Sequence, residues 1–421
     1  AAKRGHKSFF GHKSDLYPII PKLKPGIYFH KSIQRRKIKQ IEQLKKYGHF
    51  NAAIDEEALC ILNKTIYFDY RLTRKNLNKL DIFFAWGKRH KDLILKKYTD
   101  LKTEVACAGN SRIDVSKCQK IYSKDVKRIN LKYPEFYLFA TKFVTSNFVP
   151  RGANSYREMA KWNLPEMSDK VFEELRESEE WDKKNRNLFI EGIKECASRF
   201  PDKAIVIRPH PAENHKLWKD LVNTIPTNNV YFHEPSDSII PWIIACEKIV
   251  SFNCTTLLDA SLISCKGINY LPLPNKLQEY EVFHHCSKVA RTKEELIELI
   301  GSKELPAYDN KKMKEYIHNW DESSFCDYSM SIIEDKVDNN FYSQTNLKLS
   351  FISLILNKIL NNFKKFYSLY FGNGQRRRKI YKQKFPGINL REVKDIHKNF
   401  DISKGTRIYE YWPGVFCIEK I

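Results

Sequence analysis

The chain has 421 residues, of which 42% are hydrophobic, 13% aromatic and 29% charged, a globular composition that excludes a disordered, collagen-like or coiled-coil protein. Lysine and arginine number 73 against 50 aspartate and glutamate, a formal net charge of +23, which implies an anionic partner: nucleic acid, an acidic membrane surface or a phosphorylated substrate. Ten scattered cysteines form no C-x-x-C pair, so neither a zinc site nor a disulfide framework is indicated, and a reducing cytoplasm suits them.

In chain order, AAKRGHKSFFG reads as the last turn of a helix, a stop at Gly5 and a short strand. A Rossmann-type domain should place a strand and a Gly-rich turn before such a helix, so the natural first strand is expected to be missing. Short apolar runs then predict strands at 26–30 (GIYFH), 50–55 (FNAAID), 82–87 (IFFAWG) and 104–109 (EVACAG). After a charged, helix-like stretch at 116–134 they resume at 136–141 (FYLFAT), 204–211 (AIVIRPHP), 229–235 (NVYFHEP), 248–253 (KIVSFN) and 267–273 (GINYLPL). Many lack polar alternation, as parallel strands covered on both faces do. Helical spacing fills the gaps, notably at 33–48 and 184–200. This alternation predicts an α/β fold of two Rossmann-like domains with a cleft between them. The N-terminal domain is expected over 1–134, the C-terminal domain over 135–335, and a basic, partly helical extension over 336–421.

That extension is distinct in composition. Residues 341–421 hold 16 Lys or Arg against 5 Asp or Glu. Leu349, Ile352, Leu356, Ile359, Leu360, Phe363 and Phe366 recur at helical spacing, and the run QRRRKIYKQK follows. An apolar stripe beside such a run fits a helix lying on an anionic membrane surface through 345–384, each basic residue adding ~1 kcal/mol. The same pattern also fits a helix packing back on the body with a solvated basic face. No run of 18 uncharged apolar residues occurs in the chain, so no membrane-spanning helix is expected.

The sharpest local signal is the strand end IVIRPHP before AENHKLWKDL. It sets Arg208, His210 and Pro211 at the carboxyl edge of a parallel sheet, where open α/β sheets bind ligands, beside a helix N-terminus suited to phosphate. The prolines flanking His210 deny it further ladder pairing; the plainer alternative is a capped strand end with a surface histidine. Ser251, Asn253, Thr255 and Thr256 lie where another strand becomes a helix, and they exceed what a single N-cap needs. Glu234 ends a third strand, in reach of a ribose hydroxyl.

In the N-terminal half, Asp55, Glu56 and Glu57 follow an apolar strand. Clustered carboxylates suit general-base or nucleophile work, since like charges raise at least one pKa, but they also favour a following helix N-terminus. Asn110, Ser111 and Arg112 form a polar turn after the next strands, a phosphate or sugar contact or simply a turn. Thr141, Lys142 and Asn147 are placed to line the cleft floor. P-loop, G-x-G-x-x-G, H-E-x-x-H and D-x-D motifs are absent, so P-loop NTPase, dinucleotide dehydrogenase, zincin and metal-bridged nucleotide-sugar sites have no support, and no metal or cofactor is expected.

The succession AIDEE, WGKRHKDLI, CAGNSRID, RPHPAEN and a Ser/Thr-rich turn before LLDASLISCKG resembles bacterial surface carbohydrate biosynthesis proteins, glycosyltransferases of the two-Rossmann GT-B type, over about residues 1–330. The HP pair with a downstream Ser/Thr cluster is also similar to polysialyltransferases, Kdo transferases and CDP-glycerol polymerases. The resemblance implies transfer of a sugar, an ulosonate, from a CMP-linked donor to a glycan or lipid-linked acceptor in capsule or lipopolysaccharide synthesis, at the inner face of the bacterial membrane. His210 would contact the donor phosphate, Ser251, Thr255 and Thr256 would bind that phosphate at the helix start, and Asp55, Glu56 or Glu57 would supply the base or nucleophile. The rival readings are a CDP-glycerol or ribitol-phosphate transferase, a non-catalytic scaffold, and a nucleic-acid-binding protein, for which no RNA- or DNA-binding fold signature is present.

Overall fold

The structure is a computed structural model that describes residues 1–61, 63–149, 155–164, 166–263, 266–305, 309–321, 323–337, 389–399 and 404–421. The stripe 349–366, the basic run 375–384 and the membrane segment 345–384 expected from them lie outside the described residues. Among the described residues, no helix is long and apolar enough to cross a membrane.

The strands are β1 (Ser8–Gly11), β2 (Ile27–His30), β3 (Phe50–Ile54), β4 (Ile82–Ala85), β5 (Glu104–Cys107), β6 (Phe136–Ala140), β7 (Ala204–Arg208), β8 (Val230–Phe232), β9 (Lys248–Ser251), β10 (Lys266–Tyr270), β11 (Lys288–Ala290), β12 (Thr406–Trp412) and β13 (Val415–Lys420). The main helices are α1 (Ile38–Lys46), α2 (Asp169–Arg199), α3 (His215–Thr224), α4 (Thr256–Leu262), α5 (Phe325–Lys336) and α6 (Leu390–Asn399). All nine interior strands expected from apolar runs are present; β11, β12 and β13 were not foreseen. The expected α/β class of two Rossmann-like domains holds.

The chain forms two compact units, Ala1–Glu56, Arg71–Ser111 and Glu322–Ile421 in one, Glu57–Tyr70 and Arg112–Asp321 in the other. These boundaries differ from a division at 134 and 335. The helix after residue 322 belongs to the first unit because Phe325, Ile333 and Val337 bury against Ala52, Ile54, Ile82 and Phe84 of its sheet. The detour 57–70 belongs to the second because Ile66 and Tyr70 pack with Leu164, Met167 and Val171.

The first unit holds the parallel sheet β2-β3-β4-β5. Ala52, Ala53, Phe83, Phe84 and Ala85 are fully buried on both faces of its middle strands, which explains their unbroken apolar runs. A second, antiparallel sheet has the order β1-β13-β12 and joins the two chain ends, with Ser8 opposite Ile418 and Gly11 opposite Val415. The end of the expected basic extension is therefore a helix and a β-hairpin paired to the first strand.

The second unit holds a six-stranded, all-parallel sheet in the order β11-β10-β9-β6-β7-β8. Counted from β6 this is the 3-2-1-4-5-6 order of a dinucleotide-binding Rossmann sheet, and its topological switch point lies between β6 and β9. Alternate residues serve opposite cores. Tyr137, Phe139, Ile205 and Ile207 face α2, whose Phe189, Ile193 and Cys196 cover them, whereas Phe136, Leu138 and Val206 face Trp242 and Ile243.

Candidate functional site

The carboxyl edge of the second sheet carries the loops after β6, β7 and β9. The loops after β6 and β7 are joined by a residue the sequence reading missed. Glu213 is 1% exposed, and its carboxylate accepts hydrogen bonds from Thr141 Oγ1 at 2.7 Å, the His210 amide at 3.0 Å, Trp218 Nε1 at 2.9 Å and Asn147 Nδ2 at 3.3 Å. Burial pushes its carboxyl above the usual range although all four donors pull the other way. Thr141 and Asn147, expected on a cleft floor, are thus bonded to Glu213. The available signal was a glutamate three residues after His210, at the foot of a helix capped by Asn214, whose side chain accepts from the Lys216 amide.

His210 is fixed by the same turn. Its Nδ1 accepts from the Ala212 amide at 3.1 Å, and its carbonyl accepts from the Glu213 amide at 2.9 Å and bonds His215 Nε2 at 3.2 Å. An imidazole that accepts at Nδ1 carries its proton on Nε2. The proline-flanked histidine therefore keeps a defined tautomer.

Arg208 behaves otherwise. It is 5% exposed, and its guanidinium donates to the Asp237 carbonyl and, at 3.2 Å, to Asp237 Oδ1. Burial lowers its pKa against the pull of Asp237, so it anchors the loop after β8 and is not offered at the sheet edge as expected. Glu234 meets His215 Nδ1 at 2.7 Å and Lys219 Nζ at 2.9 Å. Burial opposes its ionisation, but those two bonds outweigh it and hold the carboxyl below its usual range; the side chain proposed for a ribose hydroxyl is ion-paired. Pro211 lies half-buried in the turn.

The β9 turn divides its polar residues between structure and availability. Ser251 is fully buried and donates to the Ala140 carbonyl at 2.7 Å, tying β9 to β6. Asn253 has φ of 46°, the one left-handed non-glycine among the described residues, a conformation asparagine tolerates better than most. Its amide donates to Asn269 Oδ1, its Nδ2 to the Gln278 carbonyl, and its Oδ1 accepts from the Tyr280 amide, all within 3.0 Å. Its carbonyl accepts from Lys142 Nζ at 3.2 Å, and that ammonium lies 4.9 Å from the centre of the Tyr280 ring. Thr256 Oγ1 pairs with Cys254 Sγ at 3.2 Å. Thr255 caps α4 through its backbone without a side-chain bond. The amides of Cys254, Thr255 and Thr256, and the Thr255 hydroxyl, have no partner among the described residues.

The other two expected clusters are split. The unit boundary falls between Glu56 and Glu57 and again between Ser111 and Arg112. Asp55 is 1% exposed, and both its oxygens are held by Arg71, Nε to Oδ2 at 3.0 Å and Nη2 to Oδ1 at 2.5 Å; it is not an available base. Glu56 and Glu57 are exposed. Arg112 grips buried Asp259 through Nε at 2.9 Å and through Nη2, with Ser116 donating at 3.1 Å. Burial opposes its charge, yet Asp259 raises its pKa. It is a structural ion pair within the second unit, not a phosphate cation. Asn110 is buried and Ser111 half-buried in the first unit.

No family model matches the chain, and no curated protein matches it. Among solved structures, a UDP-GlcNAc 2-epimerase from Methanocaldococcus jannaschii is similar at 13% identity with a TM-score of 0.49, over 74% of this chain and 77% of that one. The UDP-GlcNAc 2-epimerase of Neisseria meningitidis, bound to UDP-GlcNAc, is 15% identical with a TM-score of 0.44, over 74% and 76%. Anabaena HepE in complex with UDP-glucose is 9% identical with a TM-score of 0.36, over 85% and 78%. The fold assignment rests on the strand order and register of this chain itself.

Proposed function

We propose that the second unit binds the phosphate of a nucleotide-linked sugar at the β6/β9 switch point, and that the protein is a glycosyltransferase of surface polysaccharide synthesis. The observation that carries this reading is the group of unpartnered amides at Cys254, Thr255 and Thr256. They follow a left-handed Asn253 at the sheet edge where Rossmann folds hold phosphate. His210 Nε2–H and the Lys142 ammonium lie on the neighbouring strand ends, and adjacent strands are about 5 Å apart, so all three loops fall within the span of one nucleotide. Amides, an imidazole N–H and a lysine stabilise the charge of a departing phosphate. Glu56 or Glu57 is the candidate base, with Asp55 removed from that role by Arg71. A CMP-linked donor is the finer form of the proposal and follows from the motif resemblance, whereas attachment to an anionic membrane through 345–384 follows from the apolar stripe and basic run of that segment.

Isothermal titration of the full chain with CMP, CDP-glycerol and UDP tests the reading. Saturable binding of CMP, weakened about tenfold by His210→Ala through loss of one charge-assisted bond, is expected. Tighter UDP than CMP binding would keep the nucleotide site and remove the cytidine assignment; turnover of CDP-glycerol alone would replace sugar with a polyol phosphate. Binding of no nucleotide would end the proposal. Deleting 345–384 is expected to abolish co-sedimentation with phosphatidylglycerol vesicles.

A further inference from the structure

We infer that one face of α2, formed by Trp181, Asp182, Asn185 and Arg186, is a positioning device for the nucleotide site, holding the loops that flank the β9 turn in fixed register. This role deepens the reading of that turn as the phosphate site and depends on it. β9 lies between β10 and β6 in the sheet, so the loops after those two strands flank Asn253 and the unpartnered amides behind it. One residue in each loop is held at both its N–H and its C=O. Asp182 Oδ2 accepts from the Ser146 amide at 3.0 Å, and Arg186 Nη1 donates to the Ser146 carbonyl at 2.8 Å and to its hydroxyl at 3.2 Å. Asn185 Oδ1 accepts from the Leu273 amide at 3.0 Å, and Trp181 Nε1 donates to the Leu273 carbonyl at 2.9 Å. Each grip uses a pair four residues apart, which a helix presents on one face, and the two pairs are offset by a single position.

Ordinary helix packing does not account for these residues. Further along α2, Phe189, Ile193 and Cys196 cover the sheet with apolar side chains. Asp182 and Asn185 are as enclosed, at 6% and 0% exposed, where an apolar residue would avoid the cost of burying polar groups. Burial pushes the Asp182 carboxyl above its usual range against the bonds from Ser146 and Thr145. A tie that only brought helix and loop together needs one bond; gripping both N–H and C=O fixes how the peptides point. Leu273 is open to this grip because Pro272 and Pro274 remove the ladder donors on either side of it. The held loops in turn build the site. The loop after β6 carries Lys142, which donates to the Asn253 carbonyl at 3.2 Å. The segment after Leu273 supplies the Gln278 carbonyl and Tyr280 amide that hold the Asn253 side chain at 2.8 and 3.0 Å. Next to Asn253, Phe252 stacks on Phe143 with ring centres 4.7 Å apart and meets the Trp181 ring at 5.1 Å. Trp181 thus supports the β9 turn through its ring and the β10 loop through its indole N–H.

The test is titration of the full chain with CMP and with UDP, following whichever binds more tightly, in wild type, Trp181→Phe, Asp182→Ala, Asp182→Asn and Ile193→Ala. Trp181→Phe keeps a ring against Phe252 and loses the donor to Leu273, and Asp182→Asn keeps an acceptor for the Ser146 amide. Ile193→Ala opens the core beneath the same helix and lowers the melting temperature without removing a bond to either loop. Affinity is expected to fall about tenfold in Asp182→Ala and at least about threefold in Trp181→Phe. It should return to within about threefold of wild type in Asp182→Asn and stay within about twofold in Ile193→Ala. In the ligand-free chain, hydrogen exchange of the Asn253 and Tyr280 amides is expected to quicken in Trp181→Phe and Asp182→Ala and not in Ile193→Ala. Binding of neither nucleotide by wild type ends the nucleotide reading and this role with it. Wild-type affinity retained in both Trp181→Phe and Asp182→Ala, an equal loss in Ile193→Ala, or unchanged exchange in the two α2 variants overturns the role of α2 alone and leaves the site.

Discussion

Asn253 shows how one residue sets the geometry of a turn. Its left-handed backbone and its two side-chain bonds contribute separately, and two substitutions separate them. Asn253→Gly keeps the backbone and loses the side-chain bonds, whereas Asn253→Ala loses both. The alanine variant is expected to be less stable than the glycine variant by about 1 kcal/mol, read from denaturant midpoints. Glu213 is the other decisive residue. Glu213→Ala strands four buried donors and should cost about 3 kcal/mol or more, with nucleotide affinity falling along with stability. Glu213→Gln, which keeps acceptor capacity at Oε1, should lose less of both. Two buried histidines of the first unit set the acid limit. Burial lowers His30 to about 4 despite its bond with Asn51, and burial lowers His90 to about 4 despite the pull of Asp55. In the unfolded chain each titrates near 6.5, so the unfolded state binds the extra protons between those values. Stability should be full above pH 6.5 and fall as pH drops towards 4, by at most about 3 kcal/mol per histidine. Melting curves across that range should flatten in His30→Gln.

At the scale of elements, α2 illustrates competition between local preference and packing. A β-carbon at Gly192 would stand 2.7 Å from Tyr270 Cε1 and 3.0 Å from Leu296 Cδ2. Alanine would gain up to about 1 kcal/mol of helix propensity, but overpacking costs about 1–3 kcal/mol. Gly192→Ala is therefore expected to lower the melting temperature. Strand positions were legible because two-sided burial leaves unbroken apolar runs, as in Phe136–Ala140. The hairpin β12–β13 was not, since its exposed polar residues, such as Arg407 and Glu410, resemble the basic segment before it.

For the whole molecule, the excess positive charge is not confined to the C-terminal segment. Lys31, Arg35, Arg36 and Lys37 form a second concentration within one short stretch of the first unit. The chain's two ends pair within the first unit, with Phe10 against Phe416 at 5.6 Å and Lys7 paired to Glu419 at 2.9 Å. Removing 404–421 should uncover β1, lower the melting temperature and open Lys7 to trypsin in limited proteolysis.

Periodicity, prolines and turn chemistry, all properties of neighbouring residues, determined the parallel strands and the sheet edge that faces a ligand. Whether a polar side chain at that edge is offered to a ligand or bonded inside was decided by partners far along the chain. Asp55 meets Arg71 16 positions away, Arg208 meets Asp237 at 29, and Arg112 meets Asp259 at 147. A charge leaving water must find its counter-charge nearby in space. Composition lists the charges that can pair, and only the folded chain brings particular ones together.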